Sequence, residues 1–479
     1  MFPTLFVCWR KGIQLNRKQD KRNIMAVLAA AFMSFVGILT ETSLNVTFPT
    51  MMKQFNVSLD VVQWTTTGYL LMIAIIMICS SYLNERFTAK QLFIVSCGGF
   101  IVGSLISAFA GEFYVLLFGR LISSLGAGLS IPLMFNLIVE VMPQKKWGLY
   151  MGIAGLIIAM APTLGPAFGG AITYYFNWRD IFFIVAIFAA IVFCAGVRVI
   201  GKYHEQTQRK FDYLGFVLLA TAFITLTLGV NQISRGFKNI FLWLLLVGSL
   251  LLFYLYKKWA QNNKESLLNI AVFRQTAFVY GALAYFLLQF ANIGVSFVLP
   301  NYIQIVGHQN ALIGGLVLLP GSIIAGLLNP IFGSLYDRLG AKPLLYTGGS
   351  ILALSDLLFA IYGLTLTTLM IMVFYGLLAF GHRMSFSNTL AEALKIEPNN
   401  LHTDATAVCQ TAQQLAGSIG TTIMAAIIAI FQNESNSSYA IRTARGSQAA
   451  FYFIFGLGIL ILILDWAMFR LERKNSVKN

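Results

Sequence analysis

Glu41, Arg120, Asp356, His382, Arg383 and Asp465 each interrupt a long apolar stretch of the chain. An ionisable side chain at hydrocarbon depth costs at least about 2–3 kcal/mol, so each needs a partner, a water-filled cavity or a route to the interface. Glu41 lies too deep in its stretch to reach headgroups easily. Loss of water favours the neutral form of a carboxyl, so Glu41 in a cavity could hold a proton, release it when solvent access changes, and let a cationic ligand compete for the same oxygens. The alternative is a carboxyl hydrogen-bonded to a neighbouring helix. Arg120, about six residues into its stretch, could neutralise that acid, bond the first stretch's backbone, or snorkel to the headgroups. Asp356 is a second candidate proton or cation site. Arg383, with His382 beside it, sits about two turns from a stretch end, within reach of a ligand or of the interface. Asp465 lies near the inner interface, where a base can pair with it.

Three further patterns carry positional information. Gln410, Gln413, Gln414 and Gly417 follow i, i+3, i+4, i+7 spacing and so share one helical face. With Gln289, Asn292 and Arg383 they are candidate cavity-lining groups, or else hydrogen bonds between helices. Residues 161–170 read A-P-T-L-G-P-A-F-G-G. There Gly165, Gly169 and Gly170 permit close helix approach, while Pro162 and Pro166 remove backbone donors and allow a bend. Such a segment makes a tight seam or an ordinary glycine-rich packing face. Finally, L-N-E-R-F-T-A-K at 83–90 returns as L-Y-D-R-L-G-A-K at 335–342, with Glu85 and Asp337 separated by 252 residues. Glu85, Arg86, Asp337, Arg338 and Lys342 could form a conformational latch, since an acid favours a helix N-terminus and Arg binds carboxylates as a fork. Read blandly, these are two basic loops.

The elements that must position these groups follow from composition. The 479 residues are 58% hydrophobic and 11% charged, with a mean hydropathy of +0.75, whereas soluble domains run near 25% charged. One helix crosses the bilayer with about 20 apolar residues, and fourteen apolar segments occur, the first at about 24–48 and the last at about 448–469. If the N-terminal tail is cytoplasmic, the inner loops and tails hold 25 of the 33 Lys and Arg residues and the outer loops 6, which places both termini inside. The net charge of +15 lies in short clusters between apolar runs, a pattern for lipid headgroups rather than nucleic acid. Five scattered cysteines suggest neither a disulfide framework nor a metal site. The first apolar run exceeds signal-peptide length and reads as a retained span.

The expected fold class is therefore an all-α membrane protein of about fourteen transmembrane helices. The repeated octapeptide follows the second and the tenth span. That placement implies two six-helix bundles (24–201 and 261–470) with two inserted linker helices (202–260), flanked by tails at 1–23 and 471–479. No P-loop occurs and no extramembrane segment is long enough for a catalytic domain, so neither an enzyme nor an ATP-driven pump is expected.

These motifs resemble the major facilitator superfamily, in particular its fourteen-helix drug:proton antiporter branch, over essentially the whole chain after the N-terminal tail. The loop motif G-x-L-x-D-R-x-G-x-K is present in Gly333, Leu335, Asp337, Arg338, Gly340 and Lys342, and Arg120, Gly126 and Gly128 are similar to the family's Arg-containing motif. Residues 161–170 resemble its antiporter motif. The family's first-span Asp aligns with Thr40, and the acid here is Glu41, turned by about 100° around the helix. The resemblance implies export of amphipathic or cationic drug-like compounds in exchange for protons, by alternating access and without a cofactor, in a monomer of the bacterial cytoplasmic membrane. A proton-coupled symporter or a uniporter of a metabolite or lipid-like substrate is the alternative on the same fold.

Overall fold

The computed structural model describes residues 3–143, 146–201, 210–263, 265–397, 401–434 and 437–476. Fourteen helices in it are long and apolar enough to cross a membrane. They are α1 (Lys21–Leu44), α2 (Leu59–Ile78), α3 (Ala89–Ala108), α4 (Phe113–Val141), α5 (Leu149–Tyr175), α6 (Arg179–Val199) and α7 (Tyr213–Arg235). They continue with α8 (Ile240–Asn262), α9 (Thr276–Ile305), α10 (Ala311–Leu339), α11 (Ala341–Tyr362), α12 (Thr368–Ile396), α13 (Asp404–Gln432) and α14 (Tyr439–Arg473). In hydrocarbon each backbone donor and acceptor must be satisfied within the chain, which leaves helices as the form open to these apolar segments. The number of spans matches the expectation from sequence. The basic loop residues Lys145, Lys202 and Arg209 lie outside the described residues.

Helix ends depart from the apolar boundaries where the sequence remains amphipathic. The first helix is continuous from Pro3 to Leu44, so the N-terminal tail from Pro3 onward is an extension of α1. The α12 helix continues to Ile396, past the apolar limit near 390, because Asn388, Thr389 and Glu392 face protein and are buried. Breaks occur at Gln63, which interrupts α2, and at Val317–Leu318 ahead of Pro320 in α10. Prolines also fall inside α4 (Pro132), α5 (Pro162 and Pro166), α9 (Pro300) and α10 (Pro330), where each removes a helical hydrogen bond and permits bending.

Packing repeats between the first six helices and the last six. In the first set α1 lies against α4, α5 and α6, α3 lies against α4 and α6, and α2 packs on α4. In the second, α9 lies against α12, α13 and α14, α11 lies against α12 and α14, and α10 packs on α12. The 252-residue offset of the octapeptides also relates Asn136 and Glu140 of α4 to Asn388 and Glu392 of α12, so the internal likeness extends to helices whose packing is equivalent. The sets meet along two seams, α2 with α13 and α5 with α10, and α7 covers the first seam by packing on both its helices. The α8 helix packs on α7.

Close crossings within each set are set by glycine. A Cβ at Gly103 of α3 would stand 2.5 Å from the Gly119 carbonyl oxygen and would overlap the Ser123 backbone nitrogen of α4. At Gly381 of α12 it would stand 2.7 Å from the Gly348 carbonyl oxygen of α11. Gly103→Leu should therefore force α3 off α4 and, as an overpacking change, destabilise by about 1–3 kcal/mol. Thermal unfolding of the purified protein should show a clearly lowered midpoint. Gly98→Leu, whose Cβ meets open space, should leave the midpoint within error; equal loss in both variants would refute this account of the crossing.

Candidate functional site

A cavity of about 480 Å³ lies between the two helix sets, bounded on one side by α1, α4 and α5 and on the other by α9, α10, α12 and α13. Apart from α1, these helices contribute residues from their middles and from the halves nearer the Lys- and Arg-rich loops, so the cavity lies toward the end of the bundle that carries those loops. Its outer end narrows to a chamber of about 20 Å³ lined by Thr42, Asn45, Ser296, Ser322 and Tyr375 among others, a polar space large enough for about one water.

Above the chamber the outer ends are closed. Gly165 and Gly169 of α5 press on Thr42 and the Ser43 carbonyl of α1, and Gly315 of α10 presses on the Pro166 carbonyl. A Cβ on Gly170 would stand 2.5 Å from the Ala311 carbonyl oxygen. The expected seam is thus built in two directions: Gly165 and Gly169 hold α5 to α1 within one set, while Pro166 and Gly170 hold α5 to α10 across the sets. Pro162 faces the cavity. The other seam closes through hydroxyls. Thr67 of α2 meets Thr421 at 2.8 Å and Thr422 at 3.0 Å, and Ser418 donates to the Thr67 carbonyl at 3.1 Å. Gln304 adds a bond to the Val46 carbonyl at 2.8 Å.

Glu41 lines the cavity, is 4% exposed, and makes neither a side-chain hydrogen bond nor an ion pair among the described residues. Arg120 is fully buried, so it does not snorkel. Its Nε donates to the Thr65 carbonyl of α2 at 3.1 Å, rather than to the first helix, and its guanidinium lies 3.8 Å over the Tyr69 ring. Tyr69 in turn donates to the Gly37 carbonyl at 3.0 Å, one turn before Glu41. Arg120 and Glu41 act on each other through space without touching. Nη1 and Nη2 of Arg120 are buried without an acceptor.

All six predicted cavity residues, Gln289, Asn292, Arg383, Gln410, Gln413 and Gln414, line this space. Gly417, on the same α13 face, continues it into the seam against Leu70. Gln413 accepts a bond from the Tyr285 hydroxyl at 2.6 Å. Tyr285 stacks on Phe386 with centroids 4.3 Å apart, and His382 stacks on Phe386 at 4.8 Å. The sequence gives no signal for Tyr285, Phe386 or Tyr69, which are three among 59 Phe and Tyr residues. Asn329, an amide followed by Pro330 in the middle of an apolar run, is a cavity residue that was open to prediction.

Two placements depart from expectation. Asp356 is buried where α11 packs on α12 and α14, with neither carboxyl oxygen bonded, and it forms no part of the cavity wall. The apolar run around it gave its depth but not its direction. Arg383 lies further from the end of its helix than expected: with α12 ending at Ile396, it stands roughly 20 Å from that end at 1.5 Å per residue. At the cytoplasmic face Asp337, Arg338 and Lys342 are exposed and make no ion pair or side-chain hydrogen bond among the described residues, so the second octapeptide forms no latch in this state. Its Tyr336 instead donates to Glu392 at 2.5 Å, which Lys395 approaches at 3.3 Å. Glu85 and Arg86 sit half-buried and exposed, respectively, in the equivalent loop. Asp465 is buried without a bonding partner. No cluster of three or more His, Cys, Asp or Glu suited to a metal occurs among the described residues.

The family model described as Major Facilitator Superfamily matches residues 30–421. The Lincomycin resistance protein LmrB of Bacillus subtilis is 31% identical over 426 residues, covering 88% of this chain and 89% of that protein. The uncharacterized MFS-type transporter YcnB of the same organism is 30% identical over 467 residues, covering 96% and 98%. Among solved structures, a bacterial homolog to the human lysosomal transporter Spinster, inward-facing and unoccupied, aligns with a TM-score of 0.68 at 12% identity, covering 94% of this chain and 98% of that one. At that identity the likeness speaks to the fold.

The Arg120 arrangement predicts a specific intolerance. Arg120→Lys keeps the charge but loses the planar group that stacks on Tyr69 while bonding Thr65. The charged hydrogen bond to the Thr65 carbonyl is then lost, at a cost of about 1.5–3 kcal/mol. A lowered unfolding midpoint with weakened transport is expected; wild-type values for both would show that charge alone suffices.

Proposed function

The chain belongs to the Major Facilitator Superfamily, and from that premise we propose that it is a secondary transporter of the bacterial cytoplasmic membrane that exports drug-like compounds in exchange for protons. The observation that carries this reading is Glu41: a buried carboxyl with no hydrogen bond or ion pair among the described residues, in the wall of a cavity toward the end that carries the Lys- and Arg-rich loops and closed at the other end. The similarity to a protein named for lincomycin resistance supports export of a drug-like compound.

The proposed cycle uses one carboxyl for two ligands. In the inward-open state a substrate's basic group displaces the proton of Glu41, and that proton leaves to the cytoplasm. The two helix sets then rock, opening the α5–α10 and α2–α13 seams outside and closing the cavity inside. External protons reach Glu41, neutralise it and release the substrate, and the protonated carrier returns. Glu41 must stay occupied by one or the other for the carrier to move, because an unpaired carboxylate in a closed bundle is costly. Arg120 is one layer back, fixed by Tyr69 and Thr65, and biases the site without competing for the ligand.

Purified protein reconstituted with an imposed pH gradient tests this. Gradient-driven movement of a fluorescent drug-like compound should fall at least tenfold in Glu41→Gln, while passive exchange of substrate across the protein persists. Unchanged gradient dependence in that variant would remove Glu41 from the coupling role, and co-directional proton and substrate flux would make the protein a symporter.

A further inference from the structure

The cavity holds charge of both signs on opposite walls. Glu41 belongs to α1 on one wall and Arg383 to α12 on the other, and no ion pair joins them or involves either among the described residues. Arg383 makes one hydrogen bond, from Nη2 to the Ala159 carbonyl at 3.4 Å, a weak contact. The rest of its five N–H groups have no protein acceptor. Beside it His382 is 4% exposed and its Nε2 has no partner. The same cavity is lined by the amides of Gln289, Asn292, Gln410 and Gln414, none of which has a side-chain hydrogen bond among the described residues. Charges withdrawn from bulk water are ordinarily paired, yet buried Glu41 and half-buried Arg383 are both left open toward one space of a size usual for drug-like ligands.

We infer that the substrates are amphoteric, carrying an acidic group for Arg383 and His382 and a basic group for Glu41, joined by a body with hydrogen-bonding edges that spans the cavity. This deepens the exporter reading and rests on the cavity being its transport site. A purely cationic substrate would satisfy Glu41 but face an unpaired guanidinium across the cavity. A purely anionic one would satisfy Arg383 and leave Glu41 to its proton. A molecule with both groups pairs both walls and draws the two helix sets together. Charge balance gives a second consequence. If one proton enters for each zwitterion that leaves, one net positive charge moves inward per cycle, so export responds to membrane potential. Exchange of a monocation for a proton moves no net charge.

Equilibrium binding of three related probes, followed by intrinsic fluorescence in detergent without any gradient, separates the alternatives. Norfloxacin carries a carboxylate and a piperazinium, its ethyl ester keeps only the cation, and nalidixic acid keeps only the anion. Norfloxacin should bind at least tenfold tighter than either. Arg383→Met should cost norfloxacin at least tenfold while the ester binds more tightly, because a repulsive charge is gone; Arg383→Lys should recover part of the loss. Weaker binding of every probe in Arg383→Met would mark a structural role and overturn the proposal. An ester that binds wild-type protein as well as norfloxacin does, or no binding of any probe, would overturn it too. In proteoliposomes, norfloxacin efflux should quicken when the side that receives the proton is made negative. Because binding is read without a gradient, a failure of proton coupling leaves the binding pattern intact and is distinguished from a failure of this inference.

Discussion

A carboxyl group in hydrocarbon must be neutral, paired or wet, and Glu41 is positioned so that which of these holds depends on the shape of the whole bundle. Its own helix offers it no hydrogen bond. Arg120, near enough to matter electrostatically, is spent on Tyr69 and on a carbonyl of α2. What remains is the cavity, and the cavity exists because two sets of six helices meet at their outer ends and part towards the cytoplasm. The state of one side chain is thereby tied to the relative position of two helix sets, Lys21–Val199 and Thr276–Arg473. That linkage is what a coupled carrier needs, since a ligand shifts a conformational equilibrium only through a difference in its interaction with the two states.

The same fold supplies the means of movement. Each set is locked internally by crossings so close that glycine is required, Gly103 on Gly119 and Gly348 on Gly381, and each behaves as a unit for that reason. Between the sets one seam uses the same contact of glycine against carbonyl, Gly315 on Pro166 and Gly170 on Ala311, and the other uses hydroxyls, Thr67 with Thr421 and Thr422. In the proposed cycle these are the surfaces that part and close again. The prolines of α5 and α10 lie along one of these seams, where a helix with missing backbone bonds can bend as it parts.

Much of this was legible in the sequence because hydrocarbon imposes simple rules. The span count followed from apolar length, while loop charge set the expected orientation. The glutamine face of α13 followed from helical spacing, since Gln410, Gln413 and Gln414 had to point one way and the cavity lay there. Depth was readable; direction was not. Asp356 and Glu41 look alike in a hydropathy trace, yet one faces packing and the other a cavity, a difference set by which neighbouring helices cover each face. The length of α12 was misjudged because Asn388 and Glu392 are polar but buried against protein, so Arg383 stood far deeper than its apolar boundary implied. The Arg120–Tyr69 stack joins residues 51 positions apart that nothing in either local sequence relates.

The two linker helices acquire a physical role from the contrast between the seams. The α5–α10 seam consists of glycines and backbone, beside side chains such as Leu156 and Leu327 that are 52% and 73% exposed; facing lipid costs it little. The α2–α13 seam consists of hydroxyls and amides, and polar groups that part from one another against hydrocarbon would be left unsatisfied. That is the seam α7 covers. The cover also participates: Asn231, at the outer end of α7, accepts a bond from Gln63 at 3.3 Å, and Gln63 accepts one from Thr67. When Thr67 leaves Thr421 and Thr422, Gln63 and Asn231 remain as partners away from lipid. In the proposed cycle this polar seam opens within the membrane because α7 covers it, with α8 packed on α7, and the apolar seam opposite needs no such cover.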